Sequence, residues 1–133
     1  MKKELKGVFK KEEPLRNFGK GLVLQILLDK QMGAKCLDLG TVRIAPFSET
    51  GMHKREFEEV IYMLEGSGQV ITEHGEEVTL KKGDCVLIPP DVLHKHVNHT
   101  DKLLEQLYIF APQAGVAIQD SLRALPVLGG KND

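Results

Sequence analysis

Between residues 59 and 110 the sequence is a succession of short apolar segments separated by glycine-containing turns. The turns read Gly66-Ser67-Gly68, His74-Gly75 and Lys82-Gly83-Asp84. Short segments that alternate with such turns at close intervals are typical of strands joined in hairpins, and no helical period competes with them in this region. The pattern therefore predicts an all-β fold, either an antiparallel barrel or a sandwich.

The predicted strands extend this region on its N-terminal side. They cover residues 22–28, 37–46, 59–64, 69–72, 78–80, 85–88, 93–98 and 103–110. Pro46 ends the second strand, because proline has no N–H to donate to a ladder. Beyond the strands, apolar residues from Val116 to Leu125 are spaced as in a short closing helix, which Pro126 would end.

The domain organisation is predicted to be simple. A chain of 133 residues has the length of one ordinary domain, so a single hydrophobic core is expected. We divide it into an N-terminal arm or edge segment at residues 1–20, a barrel at 21–112, and a C-terminal helix and tail at 113–133. Because a small antiparallel barrel leaves edge strands that the arm could cover, or from which it could cross to a second copy, a homodimer is expected.

Composition and charge argue against several classes of function. A formal net charge of −1 gives no long-range attraction for nucleic acid. The apolar runs are too short to span a bilayer, and no apolar stretch of a signal peptide follows Met1, so a cytoplasmic location without membrane contact is expected. Cys36 and Cys85 lie far apart without CxxC spacing, which gives little support to a disulfide framework or a thiolate zinc site.

Two polar motifs lie within the predicted strands. Residues 53–66 read HKREFEEVIYMLEG, and residues 83–98 read GDCVLIPPDVLHKHVN. Together they resemble the paired signatures of the cupin family, HxHxxxExxxxxxG and GxxxxxPxGxxHxxxN. The sequence departs from these signatures at Arg55, which replaces a histidine, and at Asp91, which replaces a glycine.

The resemblance implies a single-domain antiparallel barrel of the jelly-roll type, also called a double-stranded β-helix. It also implies that His53, Glu59 and His94 hold a divalent metal ion in the interior. Imidazole and carboxylate ligands suit Zn, Fe, Mn, Ni or Cu, and two histidines with one carboxylate leave coordination positions open for a substrate. The likeness does not choose among these metals.

The period of a strand adds His96 to the candidate site. Residues two apart in a strand point to the same side, so His94, His96 and Asn98 share one face. His96 thus forms a His-x-His pair with His94 and could supply a fourth ligand. In the alternative, His96 is a polar part of the pocket wall and contacts the bound ligand instead.

Arg55 is the feature that distinguishes this sequence from the family pattern. A guanidinium stays positively charged and cannot bind a cation. At about 5 Å from a divalent ion, and with an effective dielectric constant of about 20, the repulsion is roughly 6 to 7 kcal/mol. Three arrangements are open for Arg55. It turns aside to pair with Glu56 or Glu58, it binds the carboxylate of a substrate beside the metal, or it pairs with Glu59 and leaves the pocket without metal.

Two functions from different classes follow from these residues. The first is a metal-dependent enzyme of isomerase, lyase, decarboxylase or dioxygenase type that acts on a small polar or carboxylate metabolite, with Arg55 and His96 binding the substrate. The second is a non-catalytic module that binds or senses a small ligand without a metal, which Arg55 favours. The catalytic residue is not assigned, and Glu58, Tyr62 and Tyr108 are the candidates for an acid or base.

Overall fold

The computed structural model of the chain describes residue 5 and residues 13–129. These residues form a short helix and nine strands, with a single 3₁₀ turn at Lys30–Met32 between the second and third strands. The strands are β1 (Leu15–Gly19), β2 (Leu22–Leu28), β3 (Asp38–Ile44), β4 (Glu58–Glu65), β5 (Ser67–Thr72), β6 (Glu77–Lys81), β7 (Cys85–Ile88), β8 (His94–Val97) and β9 (Leu104–Ala111), and the helix is α1 (Val116–Arg123).

The strands form two antiparallel sheets. The larger sheet has the order β1-β2-β3-β9-β4-β7 and the smaller has the order β6-β5-β8. The chain passes from the larger sheet to the smaller one at Gly66, whose φ of 79° suits glycine. A Cβ at this position would also meet the backbone of Leu103 and Leu104. The arrangement is that of a jelly roll, and it confirms the predicted all-β class.

β1 lies in the segment that the sequence assigns to an arm or edge. It pairs with β2 at the border of the larger sheet, and its ladder is irregular between Asn17 and Gly19. The C-terminal segment runs beside it, because Asn17 N donates to Pro126 O at 2.7 Å. Most of the predicted arm, and residues 130–133 of the predicted tail, lie outside the described residues.

The core lies between the two sheets, where alternate residues of each strand point inward. Fully buried members include Ile44 of β3, Ile61 and Met63 of β4, and Leu104 of β9. Asn98 follows β8 and is fully buried as well. Its amide donates to Ile44 O at 2.9 Å and to Lys102 O at 2.7 Å, so the last residue of the second motif fastens the smaller sheet to β3.

The closing helix that the sequence predicts is confirmed, and buried acidic residues hold it. Asp38 accepts hydrogen bonds from Ala114 N at 2.7 Å and from Gln119 Nε2 at 3.0 Å. The guanidinium of Arg123 donates twice to the carboxylate of Asp29, at 2.8 and 3.0 Å. No helix within the described part of the chain is long and apolar enough to cross a membrane.

Candidate metal centre

Four polar side chains converge between the sheets. Glu59 is buried on β4 of the larger sheet, and His94 and His96 are buried on β8 of the smaller one. His53 lies ahead of β4 and forms an isolated bridge with His94. One ligand atom from each of the four residues lies within 4.8 Å of those of the other three. The structure therefore brings His53, Glu59 and His94 together, and His96 with them.

Backbone hydrogen bonds align the chain before β4 along the free edge of β8. His53 N donates to His94 O at 2.8 Å, and His94 N donates to His53 O at 2.9 Å. Thr50 N donates to His96 O at 2.9 Å, while the Thr50 hydroxyl accepts from His96 N at 2.9 Å. The segment around His53 is therefore fixed against the strand that carries the two other histidines.

Two of the histidine rings are oriented by backbone carbonyl groups. His53 Nδ1 lies 2.8 Å from Gly51 O, and His94 Nδ1 lies 2.7 Å from Val92 O. A carbonyl oxygen only accepts, so each Nδ1 carries the proton. The lone pair of each neutral ring is then on Nε2, as in metal-binding histidines whose other nitrogen donates to a carbonyl.

The spacing of the polar atoms fits a divalent ion. Glu59 Oε1 lies 3.6 Å from His94 Nε2, and Glu59 Oε2 lies 3.4 Å from His96 Nε2. Ligands at about 2.1 Å from an ion in a tetrahedral arrangement are about 3.4 Å apart. Glu59 Oε1 and His94 Nε2 are buried without a hydrogen-bond partner among the described residues. Such atoms need a partner, and a metal ion between them would provide it.

The environment sets the charges that such ligands need. Burial alone would raise the pKa of Glu59, but its contacts with His94 and His96 outweigh burial and hold the pKa below the ordinary range. Burial lowers the pKa of His53 to about 4, against an opposing effect of its hydrogen bond to Gly51. At neutral pH the cluster therefore contains a carboxylate and a neutral imidazole, the forms in which these groups bind metal.

Arg55 lies beside this cluster with its charge unpaired. Its side chain is half-buried and lines the same cavity, and its Nε is buried without a hydrogen-bond partner among residues 13–129. None of the eight ion pairs in the described part of the chain includes it. Neither the predicted pair with Glu56 or Glu58 nor the pair with Glu59 is formed. The guanidinium is thus left available to a ligand.

The cavity beside these residues has a volume of about 300 Å³. Much of its wall is apolar, with contributions from Phe18, Leu22, Leu24, Val42, Ile61 and Leu122. Gln106 and Tyr108, both 4% exposed, add polar groups to the wall. Sequence reasoning missed Gln106, although alternation along β9 with the buried Leu104 and Phe110 could have indicated it.

The three candidates for an acid or base differ in their positions. Glu58 is exposed, and Tyr62 is 40% exposed on the outside of β4. Only Tyr108 lines the cavity. Burial raises the pKa of Tyr108, so its hydroxyl stays protonated at neutral pH.

Comparison with known proteins gives a family match. The sequence model of the cupin domain matches residues 40–110, which is more than half of the chain. Gentisate 1,2 dioxygenase 1 of Aquipseudomonas alcaligenes is 32% identical over 63 residues, which cover 47% of this chain and 18% of the dioxygenase. The chain spans less than half the length of the curated relatives it matches.

Solved structures share the fold. An RmlC-like cupin from Shewanella frigidimarina is 23% identical, with a TM-score of 0.68 over 84% of this chain and 95% of that one. The polyketide cyclase RemF from Streptomyces resistomycificus is 22% identical, with a TM-score of 0.66 over 100% of this chain and 89% of that one. Identities this low show a common fold, and they carry no statement about a common activity.

Proposed function

The chain belongs to the cupin family, and from that premise we propose that it is a metal-dependent enzyme acting on a small carboxylate. His53, Glu59, His94 and His96 would hold the divalent ion, and their imidazole and carboxylate groups suit Zn, Fe, Mn, Ni or Cu. The observation that carries the proposal is the pair of buried atoms without hydrogen-bond partners, Glu59 Oε1 and His94 Nε2, which face each other at 3.6 Å.

The bound ion would polarise an oxygen atom of the substrate or, if it is redox-active, support chemistry with dioxygen. The isomerase, lyase, decarboxylase and dioxygenase types all remain within this proposal, and the likeness to a gentisate dioxygenase favours the last. The protein's own contribution is to orient the substrate. Arg55 can hold a carboxylate through two parallel hydrogen bonds, which places the rest of the molecule in the cavity beside the four ligands.

The charge of Arg55 makes metal and substrate binding interdependent. A guanidinium beside a divalent ion opposes binding of that ion, whereas the carboxylate of a substrate offsets the repulsion. Each ligand should therefore raise the affinity for the other by the same factor. This cooperativity distinguishes an acid-binding site from one in which Arg55 has no part.

A second function, non-catalytic binding or sensing without metal, is supported by Arg55 itself. A permanent positive charge at a usual ligand position would suit a pocket that holds an anion alone. We favour the enzyme because the carbonyl groups that fix the rings of His53 and His94 prepare both Nε2 atoms for a cation.

Calorimetric titration of zinc and manganese into the metal-free protein tests the metal site. We expect His94→Ala to weaken binding by at least about a hundredfold, because it removes a ligand and not merely a supporting contact. His74→Ala is the matched control, since its ring is 87% exposed and should leave the affinity unchanged. Equal affinities in the two variants would contradict the proposed site.

Turnover distinguishes the two functions. The metal-loaded protein would be incubated with small carboxylates and oxygen, and substrate loss and oxygen uptake would be followed. Consumption that stops in His94→Ala supports the enzyme. Metal-independent binding of carboxylates without consumption would support the sensing module instead.

A further inference from the structure

Gln106 and Tyr108 have no part in the proposed metal site. Both are buried on the inner face of β9 and line the cavity. Neither side chain forms a hydrogen bond within residues 13–129, and neither carries one of the fully buried unpaired atoms, so their polar atoms border open space. Buried amide and hydroxyl groups are normally paired with protein, water or ligand. These two groups can therefore be satisfied by a molecule in the cavity.

The register of the larger sheet gives their distance from the metal site. Glu59 pairs with Phe110, and distances along β9 are measured from this paired row. Residues two apart on a strand are separated by about 7 Å, which places Tyr108 about 7 Å and Gln106 about 14 Å along β9 from that row. A ligand that reaches from Arg55 toward these groups would extend away from the metal along the cavity.

The wall beside this path is apolar. In the register, Tyr108 lies between Gly40 and Ile61, and Gln106 lies opposite Val42. Leu24 pairs in turn with Val42, and both line the cavity. A ligand with hydroxyl groups on every carbon would place several of them against these side chains without partners, which opposes binding. An apolar body would bury against the same wall favourably.

The position of Tyr108 depends on the absence of a side chain at residue 40. A Cβ built on Gly40 would collide with the ring and the hydroxyl of Tyr108, which lies directly over it. The glycine therefore allows the ring to lie across β3. Because burial raises the pKa of Tyr108, its hydroxyl remains a hydrogen-bond donor at neutral pH.

We propose that the cavity takes an acid with an apolar body and one further hydroxyl or carbonyl group, which Tyr108 and Gln106 recognise while Arg55 holds the carboxylate. The carboxylate end of this inference rests on the proposed function. A volume of about 300 Å³ is at the lower end of ligand pockets, so the body has the size of one aromatic ring or a short branched chain. The inference narrows the expected substrates from polar metabolites in general to this class and argues against sugar acids.

Four small probes test the inference by calorimetry on the zinc-loaded protein. They are 4-hydroxybenzoate, benzoate, phenol and glucuronate. We expect 4-hydroxybenzoate to bind most tightly, about tenfold better than benzoate, because its hydroxyl gains one hydrogen bond. In Tyr108→Phe the ratio of the affinity for 4-hydroxybenzoate to that for benzoate should fall from about ten to about one, while the affinity for benzoate stays the same. Tyr62→Phe, on the outer face, is the matched control and should keep the gain.

The contact with the carboxylate is tested separately with Arg55→Gln, which should weaken the binding of benzoate and leave the binding of phenol unchanged. Gln106→Leu gives a second measurement of the hydroxyl contact if Tyr108→Phe does not fold, as judged by circular dichroism. Glucuronate binding as tightly as 4-hydroxybenzoate, or a hydroxyl gain that survives in both Tyr108→Phe and Gln106→Leu, would overturn the inference. The proposed function fails in a different way, if the protein takes up no zinc while the aromatic acids still bind in the predicted order.

Discussion

Arg55 carries the one permanent positive charge among the described residues that line the cavity, and a guanidinium conflicts with a cation site. It lines the cavity with the metal-binding cluster. Burial and the positive charge of Arg55 act to lower the pKa of His94, but the contacts of His94 with Glu59 and Val92 outweigh them and raise this pKa above its ordinary value. Among the described residues no carboxylate neutralises Arg55. Replacement by histidine would remove the charge and restore the residue type of the cupin signature at this position.

Arg55→His should therefore bind zinc at least about tenfold more tightly than the wild type in the absence of other ligands, because repulsion of the ion is removed. The same change should weaken the binding of benzoate, since the donor of two hydrogen bonds is lost. Titrations of zinc with and without benzoate measure both effects. Lys54→His is the control, because Lys54 is exposed and outside the cavity wall. Unchanged zinc affinity in Arg55→His would mean that Arg55 does not act on the site.

The sequence could indicate the residues of the site only where spacing in the chain reflects spacing in the fold. His53, Glu59 and His94 followed from the motifs, and His96 followed from its alternation with His94. Alternation along β9 puts Gln106 and Tyr108 on one face with Leu104 and Phe110, but only the pairing of β9 with β3 and β4 shows that this face lines the cavity. The space that Gly40 leaves for the Tyr108 ring is likewise a property of two paired strands.

At the level of secondary structure elements, α1 depends on a buried carboxylate. Asp38 begins β3, is 4% exposed, and accepts hydrogen bonds from Ala114 N and Gln119 on the helix side. Burial is the largest effect on its pKa and raises it, although the hydrogen bond from Ala114 acts in the opposite direction. The helix is therefore attached through a carboxyl group whose pKa is higher in the folded chain than its ordinary value.

This arrangement predicts a pH dependence of stability. Because the pKa of Asp38 is higher in the folded chain than in the unfolded one, the folded chain takes up the proton first as pH falls. As pH falls through the pKa of Asp38 in the folded chain, the contribution of Asp38 to the free energy of unfolding therefore increases. It reaches its full size below the pKa of about 3.9 that the group has in the unfolded chain. Urea unfolding would be compared in the wild type and Asp38→Asn, which cannot titrate, from about pH 7 to about pH 4.

The difference in unfolding free energy, wild type minus Asp38→Asn, should increase toward acid pH. Asp120→Asn serves as the control, because Asp120 is exposed on α1 and should give a smaller dependence. A difference that stays constant or decreases over this range would contradict the raised pKa.

The elements themselves could be predicted wherever glycine turns separate apolar segments. β2 to β9 and α1 were predicted with ends that differ from the structure by a few residues at most. β1 was not identified as a strand, because LRNFG combines little apolar periodicity with a turn-forming Asn-Phe-Gly. Its pairing with β2 and its contact with Pro126 are tertiary features.

At the scale of the whole molecule, the candidate ion site joins the two sheets. Glu59 belongs to the larger sheet, and His94 and His96 belong to the smaller one. An ion held by all of them would bind the folded chain and not the unfolded one, so metal binding should stabilise the fold. The homodimer expected from the sequence stays a prediction.

Elemental analysis of the purified protein tests the metal site most directly. The protein would be expressed with added zinc, iron, manganese, nickel and copper, dialysed, and compared with Glu59→Gln, in which a neutral amide replaces the carboxylate. We predict about one divalent transition metal ion per wild-type chain and a much smaller fraction in Glu59→Gln. Wild-type protein that is folded but carries no stoichiometric metal under these conditions would contradict a metal site at His53, Glu59, His94 and His96.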